Sequence, residues 1–247
     1  MRLLLVNANT TEAVTEKIAG EARRVARPGT EILAVTGRFG GSIVSTRSEI
    51  AIAEHAALDL AARHAGEADA VLIGVSFDVG LRALRELLPV PVVGMTEAAC
   101  LTASLLGGRF GLVTYGRRNA QTFREIVAGY GLAGRLAGVS AVDLSPSDML
   151  TDPAAASMAV AAAARDLVEI DGAEAVVLAG ATMAGLPAAI QPAVPAPLVE
   201  GIASGVGLAE VLARLHPGGA FGGSYAAVGG RQSTGIAAEL ARMLAGA

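Results

Sequence analysis

The stretch Ala68–Val75, ADAVLIGV, returns at Ala173–Gly180 as AEAVVLAG, and these two copies decide how the chain folds. Each copy is a short, almost wholly apolar run, which is typical of a strand buried on both faces of a parallel sheet. A glycine and a leucine follow at the same distance, as Gly80-Leu81 and Gly185-Leu186. The shared offset indicates two similar α/β halves, although segments of this kind also resemble one another by composition alone.

Short apolar runs alternate with longer helical patterns on both sides of these copies. We predict strands at Leu3–Asn7, Glu31–Thr36, Ala70–Val75, Val90–Gly94, Phe110–Thr114, Leu136–Val142 and Ala175–Ala179. We predict helices at Thr10–Ala26, Ser48–Gly66, Gly80–Leu88, Glu97–Leu106, Asn119–Tyr130, Ala154–Ile170, Glu200–Leu215 and Ser233–Leu244. Such alternation predicts parallel βαβ units. The fold class is therefore α/β, with a first half at 1–107 plus about 200–247 and a second half at 108–199.

Composition excludes several classes of function. The net charge is −4 and no Lys/Arg cluster forms a basic face, so nucleic acid and anionic membranes are disfavoured as partners. The uncharged stretch Ala175–Val199 contains four prolines, which would break a membrane-spanning helix. Cys100 is the single cysteine, so no intrachain disulfide forms. The N-terminus shows no signal-peptide pattern, and we expect a cytoplasmic protein.

Open parallel sheets bind ligands beyond the carboxyl ends of their strands. The loops that follow the first and third strand of each half are Asn7–Thr11, Val75–Val79, Thr114–Arg118 and Gly180–Ala184. We expect these loops to line a site between the two halves.

Polar residues in and near these loops are the candidate site residues. The catalytic candidates are Ser76, Tyr115 and Thr182, and the candidate substrate-binding residues are Asn9, Thr10, Arg47, Val75, Thr114, Gly180 and Ala181. Amides, hydroxyls and free helix N–H groups hold carboxylate oxygens, and an arginine clamps a carboxylate with two hydrogen bonds. Each has a structural alternative: Asn9 and Thr10 as helix caps, Tyr115 as a packed ring with a wet tip, and Arg47 as a solvated loop charge. Glu97 and Glu200, after the fourth strands, either accept a substrate N–H or cap a helix.

No cofactor or metal is predicted. The three histidines, His55, His64 and His216, have no metal-ligand spacing. The glycine clusters Gly37–Gly41 and Gly218–Gly230 match neither GxGxxG between strand and helix nor a phosphate-binding loop. We interpret them as flexible loops that border or cover a site. Cys100, inside a predicted helix, is interpreted as a small buried hydrophobic residue.

Four segments together resemble the hydantoin and allantoin racemases of the aspartate/glutamate racemase superfamily. They are Val6–Thr11 (VNANTT), Val93–Ala99 (VGMTEAA), Arg109–Thr114 (RFGLVT) and Leu198–Gly201 (LVEG). The resemblance reaches to about Glu210, and the order and spacing of the segments make it specific.

The resemblance implies two flavodoxin-like halves, proton transfer at an acidic carbon of a small molecule without metal or cofactor, and association into homo-oligomers. Racemases of this type place one cysteine after the third strand of each half, and thiols suit the work because they ionise near neutral pH. Here the first position falls on Val75, or on Gly74 in another alignment, and the second falls on Gly180. Neither side chain carries a proton, so the two-thiol mechanism is excluded.

Three functions stay open at this point. The first is an enzyme that acts on a small carboxylate or cyclic ureide without a thiol, as a lyase, decarboxylase or isomerase. The second is an amino-acid or hydantoin racemase with substitute bases. The third is a ligand-binding protein that has lost catalysis.

Overall fold

The computed structural model describes residues 1–216, 221–227 and 229–246. The strands in these ranges are β1 Arg2–Asn7, β2 Glu31–Thr36, β3 Ala70–Ile73, β4 Val92–Gly94, β5 Phe110–Tyr115, β6 Leu136–Val142, β7 Ala175–Leu178 and β8 Leu198–Glu200. The helices are α1 Glu12–Val25, α2 Arg47–His64, α3 Leu81–Leu87, α4 Met95–Leu106, α5 Arg117–Gly129, α6 Asp148–Thr151, α7 Pro153–Glu169, α8 Leu186–Ile190, α9 Gly201–Leu215 and α10 Ala238–Ala245. The predicted α/β class and the repeated architecture are confirmed.

The first of two compact units comprises Met1–Gly94 and Val206–Ala247. Its parallel sheet has the order β2-β1-β3-β4, with Leu3 paired to Ile32 on one side and to Ala70 on the other. Strands β1 and β3 are central and almost wholly buried, which explains why their sequences are continuous apolar runs.

The second unit comprises Met95–Gly205, and its sheet repeats the arrangement in the order β6-β5-β7-β8. Leu112 in β5 pairs with Val139 and Val177 on its two sides. Helix α4 belongs to this unit because it packs against β7 and β8. The half boundaries near residues 107 and 200 stay a prediction.

Small side chains let helices approach the second sheet closely. Helix α7 buries five alanine and valine side chains and one leucine: Ala156, Val160, Ala161, Ala163, Ala164 and Leu167. A Cβ atom added at Gly111 would stand 2.9 Å from the Cβ of Leu167, so glycine in β5 permits this contact.

Capping explains where two helices begin. Thr46 and Glu49 form a reciprocal capping box at the start of α2. The Asp152 side chain accepts a hydrogen bond from the backbone N–H of Ala155 at the start of α7, where Pro153 occupies the first turn.

Two expectations need correction. The last helix begins at Ala238 rather than Ser233, because Gly235 adopts a left-handed conformation with φ of 77° that ends any helical path through it. Arg47 lies not in a connection but at the first position of α2. Part of the predicted glycine-rich loop, residues 218–220 and 228, lies outside the described residues.

The apolar stretch 175–199 is divided among β7, α8 and β8, as its prolines predict. In the described part of the chain, none of the helices has the length and apolar character needed to cross a bilayer.

Candidate functional site

The carboxyl ends of the two central strands of the second unit bring Tyr115 and Thr182 together. Tyr115 is the last residue of β5, and Thr182 lies in a 3₁₀ turn, Ala181–Met183, that follows β7. Because β5 and β7 are neighbours, the phenol oxygen of Tyr115 lies 2.8 Å from the Thr182 hydroxyl oxygen, and the two groups share a hydrogen bond. Both side chains are buried. Two of the three predicted catalytic residues therefore form one hydrogen-bonded pair.

Burial sets the protonation state of this pair. Desolvation of the phenolate raises the pKa of Tyr115 above its ordinary value, the hydrogen bond from Thr182 opposes the rise, and the negative charge of Asp148 adds to it. The phenol is consequently neutral at physiological pH. Tyr115 is equipped to donate a proton or a hydrogen bond and is unsuited to act as a base.

Gly180 lies directly against the Tyr115 ring. A Cβ atom added at Gly180 would stand only 2.5 Å from the ring carbon Cε2 and 3.2 Å from Cγ of Met183. The backbone of Gly180 is extended, with φ of −164°, so the conformation itself does not require glycine. The ring of Tyr115 requires it, because the ring occupies the volume that a side chain at this position needs.

The turn after β7 also offers backbone donors. The first N–H groups of a 3₁₀ turn have no carbonyl partner within the turn, and here they belong to Ala181 and Thr182. Ala181 is partly exposed, whereas Thr182 is buried. With the hydroxyl pair beside them, these groups form a donor-rich surface suited to an oxyanion.

The corresponding edge of the first unit carries an asparagine network. The Asn7 side-chain amide, at the end of β1, donates to Oδ1 of Asn9 at 3.0 Å and to Oγ1 of Thr15 at 2.9 Å. The backbone N–H of Thr11, the N-cap of α1, donates to Asn9 Oδ1 at 2.9 Å. Neither Asn9 nor Thr10 is therefore the cap of α1: Asn9 Oδ1 fixes the turn before the helix, where Thr11 is the N-cap without a side-chain capping bond. The Nδ2 donor of Asn9 makes no hydrogen bond to another described residue. The functional and structural interpretations of Asn9 are compatible.

The residues after β3 differ in how much room they have. A Cβ atom at Gly74 would stand 2.5 Å from Cδ1 of Ile18, in the core beneath α1. Val75 is the next residue and is buried, and Ser76 is partly exposed. Gly74 therefore has no room for a side chain, whereas the side chain of Val75 is accommodated; which of the two corresponds to the first racemase cysteine stays a prediction.

Thr114, Thr10 and Arg47 complete the set of predicted site residues. Thr114 precedes Tyr115 in β5, and consecutive strand residues point to opposite faces of the sheet. The backbone N–H of Thr10 donates to the carbonyl of Gly41 at 3.1 Å, which ties the first loop to the glycine cluster. Arg47 is exposed at the start of α2.

Of the acidic alternatives, Glu200 has a structural role. Its carboxylate accepts hydrogen bonds from the backbone N–H groups of Ile202 at 2.7 Å and Ala203 at 2.6 Å, and so caps α9. The buried Cys100, inside α4, confirms the interpretation of that residue as a core side chain.

Sequence reasoning missed Asp78. It is buried, and its φ of 47° makes it the one non-glycine residue with positive φ in the described part of the chain. A Cβ atom added at Gly94 would stand 2.3 Å from Oδ2 of Asp78, so this carboxylate lies directly on the end of β4. The signal available in the sequence was an acid inside the Val75–Val79 loop, two residues before Gly80.

Within the described ranges, no group of three histidine, cysteine or acidic side chains is arranged to hold a metal ion. The hydroxyl, amide and backbone N–H groups described above are hydrogen-bond donors, and Asp78 adds a buried carboxylate.

Comparison with known proteins identifies relatives over most of the chain. Residues 3–209 match the model of the Asp/Glu/hydantoin racemase family. A hydantoin racemase of Pseudomonas sp. (strain NS671) is 31% identical over 216 residues, which is 87% of each chain. The crystal structure of allantoin racemase from Pseudomonas fluorescens superimposes with a TM-score of 0.92 and 36% identity, covering 95% of this chain and all of that one. The structure of allantoin racemase from Klebsiella pneumoniae superimposes with a TM-score of 0.91 and 32% sequence identity, and the match covers 97% of this chain and 98% of that one.

Proposed function

Since the chain belongs to the Asp/Glu/hydantoin racemase family, we propose that it is a cofactor-independent enzyme that acts on a small carboxylate or cyclic ureide without a thiol. The observation that carries the proposal is the relation between Gly180 and Tyr115. The ring fills the volume of a residue-180 side chain, and its hydroxyl is hydrogen-bonded to Thr182. The proton-carrying group of the second unit is then the phenol of Tyr115.

A neutral phenol with a raised pKa suits only part of racemase chemistry. Racemisation needs a base that removes a proton from carbon, and Tyr115 is a poor base because its phenolate is scarcely populated at neutral pH. It is a competent acid toward a carbanion, which is far more basic than a phenolate. The reaction favoured is therefore one in which the carbanion arises by loss of a group other than a proton.

Decarboxylation of a substituted malonate meets this requirement. The bond from the α-carbon to one carboxylate breaks, carbon dioxide leaves, and the electron pair remains on the α-carbon as an enediolate. The Tyr115 proton forms the new carbon–hydrogen bond, and the resulting phenolate regains a proton from water by way of the Thr182 hydroxyl. The N–H groups of Ala181 and Thr182 stabilise the enediolate oxygens, a contribution worth about 3 kcal/mol for each well-aligned donor.

Substrate binding in this proposal uses Asn9, Thr10 and Ser76 as further donors. The unpaired Nδ2 of Asn9 suits a carboxylate oxygen, and the adjacent N-terminus of α1 adds a favourable dipole. Within the second unit, Gly180 and Ala181 shape the surface beside the reacting carbon, and Thr114 is assigned a weaker role because its side chain points to the opposite face of the sheet from Tyr115.

Proton NMR in D₂O tests the proposal, with substituted malonates, hydantoins, allantoin and amino acids as the panel. We expect carbon dioxide loss from a malonate, with one deuterium placed at the α-carbon of the product. The control is the Tyr115→Phe variant, which keeps the ring and removes the donor. Turnover unaffected by this substitution would count against Tyr115 as the acid.

Racemisation of a hydantoin or allantoin is the second candidate, favoured by the 36% identity to an allantoin racemase. It requires Ser76 or water to replace a thiol as base. Deuterium exchange at the α-carbon of a single hydantoin enantiomer, with loss of optical rotation and no loss of carbon dioxide, would establish it. The same NMR panel therefore separates the two reactions.

A further inference from the structure

A cavity of about 590 Å³ opens at the amino-terminal edge of the sheet in the first unit. This is the edge opposite to the one that carries Asn9 and Ser76, because β1 and β3 run parallel and begin here. Its walls include Arg27, Gly29, Val90, Glu210, Ala213 and Arg214. Glu210, Ala213 and Arg214 lie beyond residues 3–209, so this wall is outside the segment that matches the family.

Two arginines supply positive charge to the cavity. The side chain of Arg27 is 62% exposed, and its Nε lies 3.6 Å from Oε2 of Glu210. Arg214 donates from Nε to the backbone carbonyl of Glu210 at 3.2 Å and makes no ion pair with any other described residue. The terminal nitrogens of the Arg214 guanidinium thus have hydrogen-bond capacity that the described residues do not use.

The acids of the cavity are already engaged. Glu210 is buried, and its Oε1 accepts hydrogen bonds from the backbone N–H of Arg27 at 2.9 Å and from the Thr30 hydroxyl at 2.7 Å. Oδ2 of Asp69 accepts the backbone N–H of Arg2 at 2.7 Å. These bonds fix both carboxylates to the protein, and the buried Glu210 holds the Arg27 backbone in place at the cavity wall.

The wall also has an apolar part, beside the N-terminal ammonium of Met1, which donates to the Gly29 carbonyl at 2.9 Å. Val90, Ala213, Pro28 and Ala68 offer carbon surface beside the two guanidinium groups. Arginine pairs with a carboxylate through two parallel hydrogen bonds, and apolar walls favour an organic body attached to it. We propose that this cavity binds a small organic carboxylate at a site separate from the catalytic edge. The proposal does not depend on the proposed function.

The test uses phenylacetate, its neutral analogue phenylacetamide, and inorganic phosphate, each added to the full chain. Binding is followed by the backbone amide NMR signals of Gly29, Ala213 and Arg214. Signals of Ala181 and Thr182 are read in the same spectra, so that occupation of the catalytic edge is distinguished from occupation of the cavity. We expect saturable shifts at the cavity residues with phenylacetate, at concentrations up to about 10 mM.

Two substitutions test the role of charge. Arg214→Ala and Arg214→Gln should each weaken phenylacetate binding by roughly fivefold, the size expected for one partly exposed ion pair. Arg23→Ala is the matched control, because Arg23 is an exposed arginine of α1 that does not line the cavity. The Arg23→Ala variant should bind phenylacetate with the same affinity as the parent protein.

A third substitution predicts a change of opposite sign. In Glu210→Gln the side-chain oxygen still accepts the bonds from Arg27 and Thr30, but the competing negative charge is removed. Affinity for phenylacetate should then rise by roughly fivefold. Loss of affinity in this variant would contradict the assigned geometry.

The outcomes are decisive for the ligand class. Shifts at the cavity residues with phenylacetate, and not with phenylacetamide or phosphate, support an organic carboxylate. Equal shifts with phenylacetamide or with phosphate overturn it, as do an absence of shifts at these residues and an equal loss of affinity in Arg23→Ala.

Discussion

The ring of Tyr115 occupies the volume that a side chain at residue 180 would need, and its hydroxyl is hydrogen-bonded to Thr182 at 2.8 Å. The glycine at position 180 and the tyrosine at position 115 are therefore complementary, because the ring fits only where residue 180 has no side chain. Under the proposed function, the phenol of Tyr115 takes the role that a thiol at residue 180 would have.

Gly180→Ala should destabilise the protein by about 1–3 kcal/mol, because the added methyl group displaces the ring and strains the Thr182 contact. Chemical denaturation measures the change. Gly134→Ala is the control, since nothing lies within 4 Å of a Cβ atom at Gly134. The double variant Gly180→Ala/Tyr115→Ala should be destabilised by about 1 kcal/mol or more less than the sum of the two single variants. Strict additivity would show that the ring and the methyl group do not compete.

Tyr115→Phe should lower turnover of the preferred substrate by about 100-fold or more, the usual contribution of a positioned general acid. Steady-state kinetics should assign the loss to kcat rather than KM. Tyr225→Phe, at a partly exposed tyrosine distant in sequence, serves as the control and should keep full activity. Equal activity in the two variants would remove Tyr115 from the mechanism.

The raised pKa of Tyr115 predicts how stability changes with alkaline pH. Its contribution is fully present below the unfolded pKa of about 10 and is lost as pH rises toward the higher folded value. Between these two pKa values, the free energy of unfolding of the parent protein should fall more steeply with pH than that of Tyr115→Phe. The difference in slope should be about 1.4 kcal/mol per pH unit. Parallel alkaline curves would contradict the buried neutral phenol.

Asn9→Asp should raise KM by about tenfold while leaving folding nearly unchanged. The carboxylate still accepts the bonds from Asn7 and Thr11, but it replaces the Nδ2 donor by a negative charge that repels an anionic substrate. Kinetics and thermal unfolding of the same variant separate the two effects. A variant with unchanged KM would leave Asn9 with its structural role in the turn before α1 alone.

Glu49→Gln should destabilise α2 by about 1 kcal/mol through loss of the charged half of its capping box. Hydrogen bonds, first from the backbone of Ser45, hold the pKa of Glu49 below its ordinary value. Its contribution is therefore present above the unfolded pKa of 4.5 and lost as pH falls through the folded value. The difference between parent and variant should vanish in acid, whereas Glu54→Gln on the exposed face of α2 should show no such difference.

Much of the fold was predictable because the signals are local and repeated. Buried parallel strands must be continuous apolar runs, and the two copies around Gly80 and Gly185 place both glycines at left-handed positions before a helix, with φ of 72° and 77°. The predicted start of the last helix was wrong because Gly235 has a left-handed backbone conformation, which the sequence pattern does not reveal.

The candidate site was predictable only by position. Strand ends identified Tyr115 and Thr182, but their 2.8 Å contact depends on the pairing of β5 with β7. The obstruction at Gly180 depends on a side-chain direction that no spacing encodes. The cavity at the opposite edge joins Arg27 to Glu210, residues 183 positions apart, so no local pattern indicates it.

The most direct test of the account is the product formed from a 2,2-disubstituted malonate in D₂O. If Tyr115 protonates one face of the enediolate, the reaction should release carbon dioxide and place one deuterium at the α-carbon of a single product enantiomer. The rate should fall by about 100-fold or more in Tyr115→Phe. Racemic product formed at the same rate in both proteins, or α-carbon exchange without loss of carbon dioxide, would contradict the assignment of Tyr115 as the proton donor.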